Sequence, residues 1–368
     1  MELKDLVLKN VLYYMQTFVI TAGEKTFEVP RSMIANIDIA KEYDTMLYPM
    51  WYVCVNVPNW FYTEMTKNPN NISVSMNLQY RLGSTNEKLI SSTGSLTTEI
   101  SGNFKAIIPY TTQVGDHSLQ KKIEKDDGSY NNNYSYNEYA FVELCLYNSA
   151  AYAASFNTLN AVISSSTLTD VVTYCFNKCG INNILISKAD NNTTYSEFKI
   201  LPQSGMLNIL RIVENYKFHD SGSTLFFDLT ESYLVTNKMG CHAWKNNEYK
   251  TTHILSLSEF SEAFGSGDGI SIDNKYKCNI IVVNKYAYNS QDIGTSPVVK
   301  NTGETELFSV TTKNALISTL TPNKEFIVNV DSPDNRNYNG KYRLMAMSVN
   351  MVPNGEFLTP TFTLTLRR

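Results

Sequence analysis

The sequence has no excess of positive charge. Lys and Arg number 31 against 35 Asp and Glu, a formal net charge of -4. No stretch gathers cations into a stripe, so counterion release gives no basis for specific nucleic-acid binding. The longest charged cluster, Lys121 to Asp127, mixes both signs and reads as a solvated loop. Long apolar runs are also missing. No window approaches ~18 uninterrupted apolar residues, so no membrane insertion is expected. The opening Met-Glu-Leu-Lys-Asp does not read as a secretory leader, and none is expected, since the apolar residues after it are interrupted by Lys9, Asn10 and Gln16. Cysteine is sparse, at positions 54, 145, 175, 179, 241 and 278. Synthesis in a reducing cytosol with free thiols is therefore expected, most of them as small core residues.

Signs of catalysis are equally thin. Histidine occurs four times, at His117, His219, His242 and His253, and no Gly-x-Ser-x-Gly elbow is present. The glycine-rich string Gly265 to Gly269 lacks the Lys and following helix of a phosphate loop and reads as a flexible linker. Cys175 and Cys179, with Cys241 and His242, invite a zinc reading. The helix face that carries both cysteines is otherwise apolar, so core packing is preferred. His219 and Asp220 precede Gly222 at a strand entry, where a self-capping turn is preferred to a catalytic pair. Asp331, Asp334 and Asn337 form an acidic loop without the calcium-loop frame. Glu143, Asp228 and Glu231 cannot be set at the defined separation a glycosidase needs. Among the aromatics, Trp51 falls in a strand run and reads as core. Trp60 and the cluster Tyr130, Tyr134 and Tyr136 are the candidates for a sugar platform. No catalytic, cofactor-binding or metal residue is assigned, and no cofactor is implied.

What the chain has is tyrosine, 24 of its 368 residues, and abundant asparagine, a bias towards strands, turns and polar contact surfaces. Alternation dominates the first part. Ile37 and Ile39 flank Asp38; Trp51, Val53, Val55 and Val57 alternate up to Pro58. From Ile72 to Leu82 the period of two is unbroken, the pattern of a half-buried strand that Gly83 ends. Phe104 to Ile108 and Tyr139 to Tyr147 are further strands, the second apolar on both faces and therefore central. Between them Thr111 to Asn137 reads as an exposed insertion. Ser149 to Ile163 carries apolar residues at helical spacing and is expected to be a helix leading out of the first domain.

The period then changes. Leu168, Val171, Val172, Cys175 and Cys179 share one helical face, with a capping box in Thr167 and Asp170 and a terminating Gly180. A second helix follows Ser204 with Met206, Ile209, Leu210, Val213 and Tyr216 on one face. Strands return at Leu225, Phe227 and Leu229, which are expected to share a face, and at Tyr233 and Val235. Asn237 to Gly240 should turn the chain back to Trp244. The last part has strands at Cys278 to Val283 and Phe326 to Val330. It closes with a hairpin from Tyr342 to Val352, with Met345, Met347, Val349 and Met351 facing one way. Pro353-Asn354-Gly355 turns it, and Phe362, Leu364 and Leu366 line the return. The fold class is thus α+β, mostly β, in three domains: 1–165 with the insertion 111–137, 166–270 with helices and a strand meander, and 271–368.

The runs LTDVVTYCFNKCGI and LPQSGMLNILRIVENYKFHDSGSTLFFDLTESYLVTNKMGCHAW resemble the middle region of bacteriophage tail hub proteins. These are the baseplate hubs of contractile tails, related to late control protein D. The closing NGKYRLMAMSVNMVPNGEFLTPTFTLTLRR resembles their final hairpin, and IANIDIAKEYDTMLYPMWYVCVNV is compatible with them. The resemblance covers about half the chain. It implies two tube-like β-barrel or sandwich domains, the first and last, flanking the helix-containing middle one. It implies a homotrimer whose pseudo-sixfold ring joins a sixfold tail tube to a threefold central spike. The implied partners are the tube and spike proteins, with tape measure and baseplate wedge proteins beside them. It implies a structural virion protein made in the host cytoplasm, not an enzyme. The other function the composition allows is a carbohydrate- or receptor-binding β module that uses the loop 111–137.

Overall fold

Alternating residues in the first 150 positions supply six strands of a barrel that the C-terminal hairpin closes. The computed structural model describes residues 9–84, 95–109, 139–187, 189–191, 193–237, 243–244, 247–248, 269–273, 278–283, 307–313, 315–323, 325–330 and 340–367. The strands of the first part are β1 (Lys9–Ala22), β2 (Lys25–Glu28), β3 (Ile34–Glu42), β4 (Met50–Pro58), β5 (Ile72–Ser84), β6 (Thr97–Ile107) and β7 (Tyr139–Asn148). The middle part has β8 (Thr158–Thr167), β9 (Ile184–Ile186), β10 (Thr194–Ser204), β11 (Ser223–Phe227), β12 (Ser232–Thr236), β13 (Ala243–Trp244) and β14 (Asn247–Glu248). The last part has β15 (Gly269–Asp273), β16 (Cys278–Val283), β17 (Leu307–Thr312), β18 (Glu325–Val330), β19 (Gly340–Asn354) and β20 (Phe357–Arg367). The helices are α1 (Asn59–Lys67), α2 (Ser149–Ala154), α3 (Leu168–Lys178) and α4 (Gly205–Asn215).

Strands β19, β3, β4, β7, β6, β5, β1 and β20 pair in that order, and β20 pairs back onto β19. The result is a closed antiparallel ring with no edge. Six of its strands come from the first part and two from the C-terminal hairpin. On β5, Ile72, Val74, Met76 and Leu78 are buried while Ser73 and Ser75 are exposed, as the period of two requires. Eight strands leave an interior that side chains can fill, and Tyr13, Phe18, Trp51, Val53 and Val55 fill this one. Helix α1 follows β4 and sets Phe61 and Met65 into the same core.

The hairpin β19–β20 is longer than the barrel needs. Its free ends carry β18 beside β19 and β17 beside β20; β16 then pairs in parallel with β18, and β15 with β16. One hairpin therefore belongs to two bodies of sheet. Its turn pairs Asn354 with Phe357, leaving a two-residue loop, Gly355 and Glu356. Gly355 has φ +60°, a conformation that costs glycine little.

The middle part packs a second core. Thr167 and Asp170 form the expected capping box of α3, and Gly180 follows it with φ +77°. Ser204 caps α4 by accepting from the Leu207 N–H. The two helices meet so closely at Gly205 that a Cβ there would lie 2.2 Å from Cys179 Sγ. The small sheet β11-β12-β9 lies between the two cores. Leu225, Phe227 and Leu234 face the helices, whereas Phe226, Tyr233 and Val235 belong to the barrel core.

Three local expectations are corrected, and one strand is added. The helix expected over Ser149 to Ile163 stops at Ala154. Asn148 caps it by accepting from the Ala150 and Ala151 N–H groups, and then Thr158 to Thr167, rich in Ser, Thr and β-branched residues, pairs with β10. The interruptions at Lys9, Asn10 and Gln16 hide strand β1: Gln16 occupies a bulge between Met15 and Thr17, and its side chain accepts from Gln79 at 2.9 Å. Leu229 does not share the face of Leu225 and Phe227, because β11 ends at Phe227 and Leu229 turns into the barrel core. A register shift between Leu344 and Ala346 puts Tyr342 and Leu344, in place of Met345, in the cluster with Met347, Val349 and Met351.

The insertion 111–137, the charged cluster 121–127, the linker 265–268, the turn 238–240 and the acidic loop 331–339 lie outside the described residues.

Candidate functional site: a polar lock in the barrel mouth

Ile37 and Ile39 point into the barrel from β3, and parity sends Lys41 the same way. Lys41 is 1% exposed, and such a charge needs a partner. The partner is Asp228, in the loop between β11 and β12, whose carboxylate pairs with Lys41 Nζ. Asp228 Oδ1 also accepts from Trp51 Nε1 at 3.3 Å and from the Leu229 N–H at 2.8 Å. Lys41 Nζ lies 5.5 Å from the Trp51 ring. Asn148, at the end of β7, holds the loop's backbone by donating to the Asp228 and Leu229 carbonyls, each at 3.1 Å. The Phe227 N–H donates to the Leu47 carbonyl at 2.9 Å. The middle part is thus pinned to the barrel by one buried ion pair and its hydrogen-bonded frame.

A second piece of chain closes the same mouth. The segment 315–323, between β17 and β18, buries Ala315, Ile317 and Leu320 in the barrel core. Tyr43 donates to the Leu320 carbonyl at 2.5 Å, and Tyr13 accepts from the Ile317 N–H at 3.2 Å. Asn323 donates to Thr224 Oγ1 at 3.3 Å and to the Thr236 carbonyl at 3.2 Å, linking the segment to β11 and β12. Ser318 donates through its N–H and its hydroxyl to Glu99 Oε1, each at 2.8 Å.

Glu99 reaches this position through a bulge. Thr98 pairs with Gln79 and Ile100 with Leu78, so Glu99 is the extra residue of β6. Its Oε2 is buried without a hydrogen-bond partner. Burial raises its carboxyl above the ordinary value, against the lowering effect of the Ser318 and Tyr13 hydrogen bonds and the Lys41 charge. Burial likewise pushes the Tyr13 hydroxyl well up, helped by Glu99, and the Tyr43 hydroxyl, helped by Asp228. The Glu99 pKa is thus higher in the folded than in the unfolded chain. The fold favours the protonated carboxyl, and its contribution is lost as pH rises through that value. Glu99→Gln should therefore raise the melting temperature relative to wild type, with a gain that grows from pH 5 to pH 8. A gain independent of pH would show that Glu99 is not held in this way.

Other residues weighed from the sequence fall elsewhere. Cys175 and Cys179 are buried free thiols in the helical core, and burial pushes Cys175 up to about 12. Cys241, His242, His117 and His253 lie outside the described residues, as do Tyr130, Tyr134 and Tyr136. Among the described residues no three metal-ligating side chains converge. His219 is 2% exposed, with Nε2 2.9 Å from Ser187 Oγ and Nδ1 2.8 Å from Ser223 Oγ. Ser187 Oγ accepts from the Thr236 N–H at 2.8 Å, so this is a bonded core histidine. Asp220 is exposed, and its backbone N–H donates to Asp190 Oδ2 at 3.0 Å. The three carboxylates do not converge. Asp228 is in the mouth, Glu231 accepts from Tyr233, and Glu143 lies opposite Cys54 on the barrel's outer side. Trp51 is core, while Trp60 is 56% exposed and packs edge-on against Phe27 and Phe61. Sequence reading missed Lys41 and Glu99. The parity of Ile37, Ile39 and Lys41 was a usable signal for the first; the bulge left none for the second.

This is the architecture of a filled β-barrel with a docked helix-and-sheet unit, held by structural polar contacts. The chain matches the family described as Bacteriophage PBS1 gene 109 protein over residues 3–254, and it belongs to that family. No curated protein matches it. Among solved structures, it is similar to a tail protein from Neisseria meningitidis MC58, at 9% identity over 97% of this chain and 96% of that one, with a TM-score of 0.41. It is also similar to the 43 kDa tail protein of prophage MuSo2 from Shewanella oneidensis, at 9% identity over 95% and 97%, TM-score 0.43. A third is the E. coli c3393 protein, described as a type VI secretion component similar to the T4 tail proteins gp27 and gp5, at 9% identity over 96% and 76%, TM-score 0.37.

Proposed function

We propose that this protein is a structural component of a phage virion, a tail hub that joins a sixfold tube to a threefold spike as a homotrimer. The reading rests on the hub-like phrasing of the middle and closing sequence and on membership of a phage family. The structural observation that carries it is the shared hairpin: β19 and β20 close the barrel with one part of their length and carry β15 to β18 with the other. Two bodies of sheet on one pair of strands are a rigid way to offer two positions per subunit, and three subunits then offer six. The domains 1–165 and 271–368 supply these positions, with 166–270 docked beside them. The tube, spike, tape measure and wedge proteins are the proposed partners. The barrel is filled, so any conduit runs between subunits and not through one. No catalytic step is proposed.

Two measurements test this. Native mass by light scattering should reach about 125 kDa, three times the 41.6 kDa chain, alone or with tube protein added. Mass spectrometry of purified tails should find the protein there. Its absence from tails would overturn the reading.

A further inference from the structure

A ladder of guanidinium groups and rings crosses the outer face of β1, β5 and β20. The Arg31 guanidinium lies 3.8 Å from the Tyr14 ring centroid, Tyr14 is 5.7 Å from Phe357, and Arg81 lies 3.8 Å from Phe357. Arg31 is exposed; Tyr14, Arg81 and Phe357 are half-buried. Arg31 Nε donates to the Met15 carbonyl at 3.0 Å, which fixes the group and leaves its two terminal NH2 groups for another acceptor. Among the described residues, no carboxylate pairs with either arginine. A guanidinium stacked on a ring keeps its in-plane N–H fork open to a carboxylate.

The opposite side of the barrel carries the complement. In the eight-strand ring β4 is the fourth neighbour of β1 in either direction. On the outer face there, Asp38 of β3 is paired with Tyr52 of β4, Tyr52 with Cys145 of β7, and Glu143 of β7 lies two residues along on the same face. Asp38 accepts from the neutral amides of Asn36 and Asn350. Among the described residues no Lys or Arg pairs with Asp38 or Glu143. Burial, and then the charge of Asp38, push the Glu143 carboxyl up. Among the described residues, two guanidinium groups without an ion-pair partner thus lie on one side of the barrel and two such carboxylates on the other.

We propose that the Arg31–Tyr14–Phe357–Arg81 ladder is a docking surface for a second copy of this chain, whose Asp38 and Glu143 face supplies the carboxylates. Unlike faces on opposite sides of one barrel make a heterologous, head-to-tail contact. Charge complementarity within a single sequence selects this occupant. This contact is separate from the trimer of the hub reading, because opposite faces of one barrel lead head to tail and not around a threefold axis, and it needs neither tube nor spike.

The test uses the full chain. Light scattering over a concentration series at about 0.05 M and about 0.5 M salt should show self-association that weakens with salt. Arg31→Glu with Arg81→Glu, and separately Asp38→Lys with Glu143→Lys, should each weaken it by at least about tenfold. An equimolar mixture of the two variants should restore it, because one then carries carboxylates on both sides and the other cations on both. Thermal melts check that each variant folds, and Arg31→Gln with Arg81→Gln replaces the first should the reversal unfold it. A wild-type monomer at every concentration, or assembly unchanged in both variants, overturns the proposal. A wild-type monomer that binds a poly-glutamate peptide through the two arginines would assign the ladder to a different acidic partner and overturn it too. Self-association intact in a protein absent from tails would instead overturn the hub reading and leave this one standing.

Discussion

Asp228→Ala should destabilise the protein by about 3–5 kcal/mol, the usual cost of leaving a buried charge without its partner. Lys41 is 1% exposed and Asp228 14%, so water cannot take the carboxylate's place at Lys41 Nζ without opening the mouth. The substitution also removes the acceptor of Trp51 Nε1. The double variant Lys41→Met with Asp228→Asn should recover most of the loss, since it removes both charges while the Asn side-chain oxygen can still accept from Trp51 Nε1 and the Leu229 N–H. A urea denaturation series on the two single variants and the double one measures the coupling. A single-variant loss under about 1 kcal/mol would show that the pair is screened and does not lock the middle part to the barrel.

Removing residues 354–368 should leave no soluble folded chain. The deletion takes out β20, which lies between β19 and β1 in the ring and between β19 and β17 beyond it. All three neighbours then expose unpaired backbone, and Phe362, Leu364 and Leu366, all fully buried, leave the core. Phe362→Ala is the milder form, with an expected loss of about 3–5 kcal/mol in the same denaturation experiment. A soluble, cooperatively unfolding deletion variant would mean that the barrel closes without the hairpin.

Much of the local structure was legible. The unbroken alternation from Ile72 to Leu82 marked β5, although the strand runs through Gly83 to Ser84. Thr167, Asp170 and Gly180 bounded α3, because capping chemistry is local and needs no neighbour to be recognised. The glycine turn marked the hairpin for the same reason. The bulged strands were harder. Gln16 and Glu99 each add one residue, which breaks the period of two that identifies a strand. The helix expected up to Ile163 failed because Leu159 and Ile163 also fit a strand, and only pairing with β10 decided between the two.

The sequence by itself determined the class, mostly β with a helical centre, and the inward or outward face of each regular strand. These depend on spacing along one chain. Tertiary structure alone decided that the last hairpin closes the first barrel, and that Lys41, Glu99 and Asp228 converge in one mouth. Each of these pairings joins residues far apart in the chain, where no periodicity extends. A buried charge is tolerated only where another segment delivers its partner, and the residues around Lys41 carry no record of Asp228, 187 positions away.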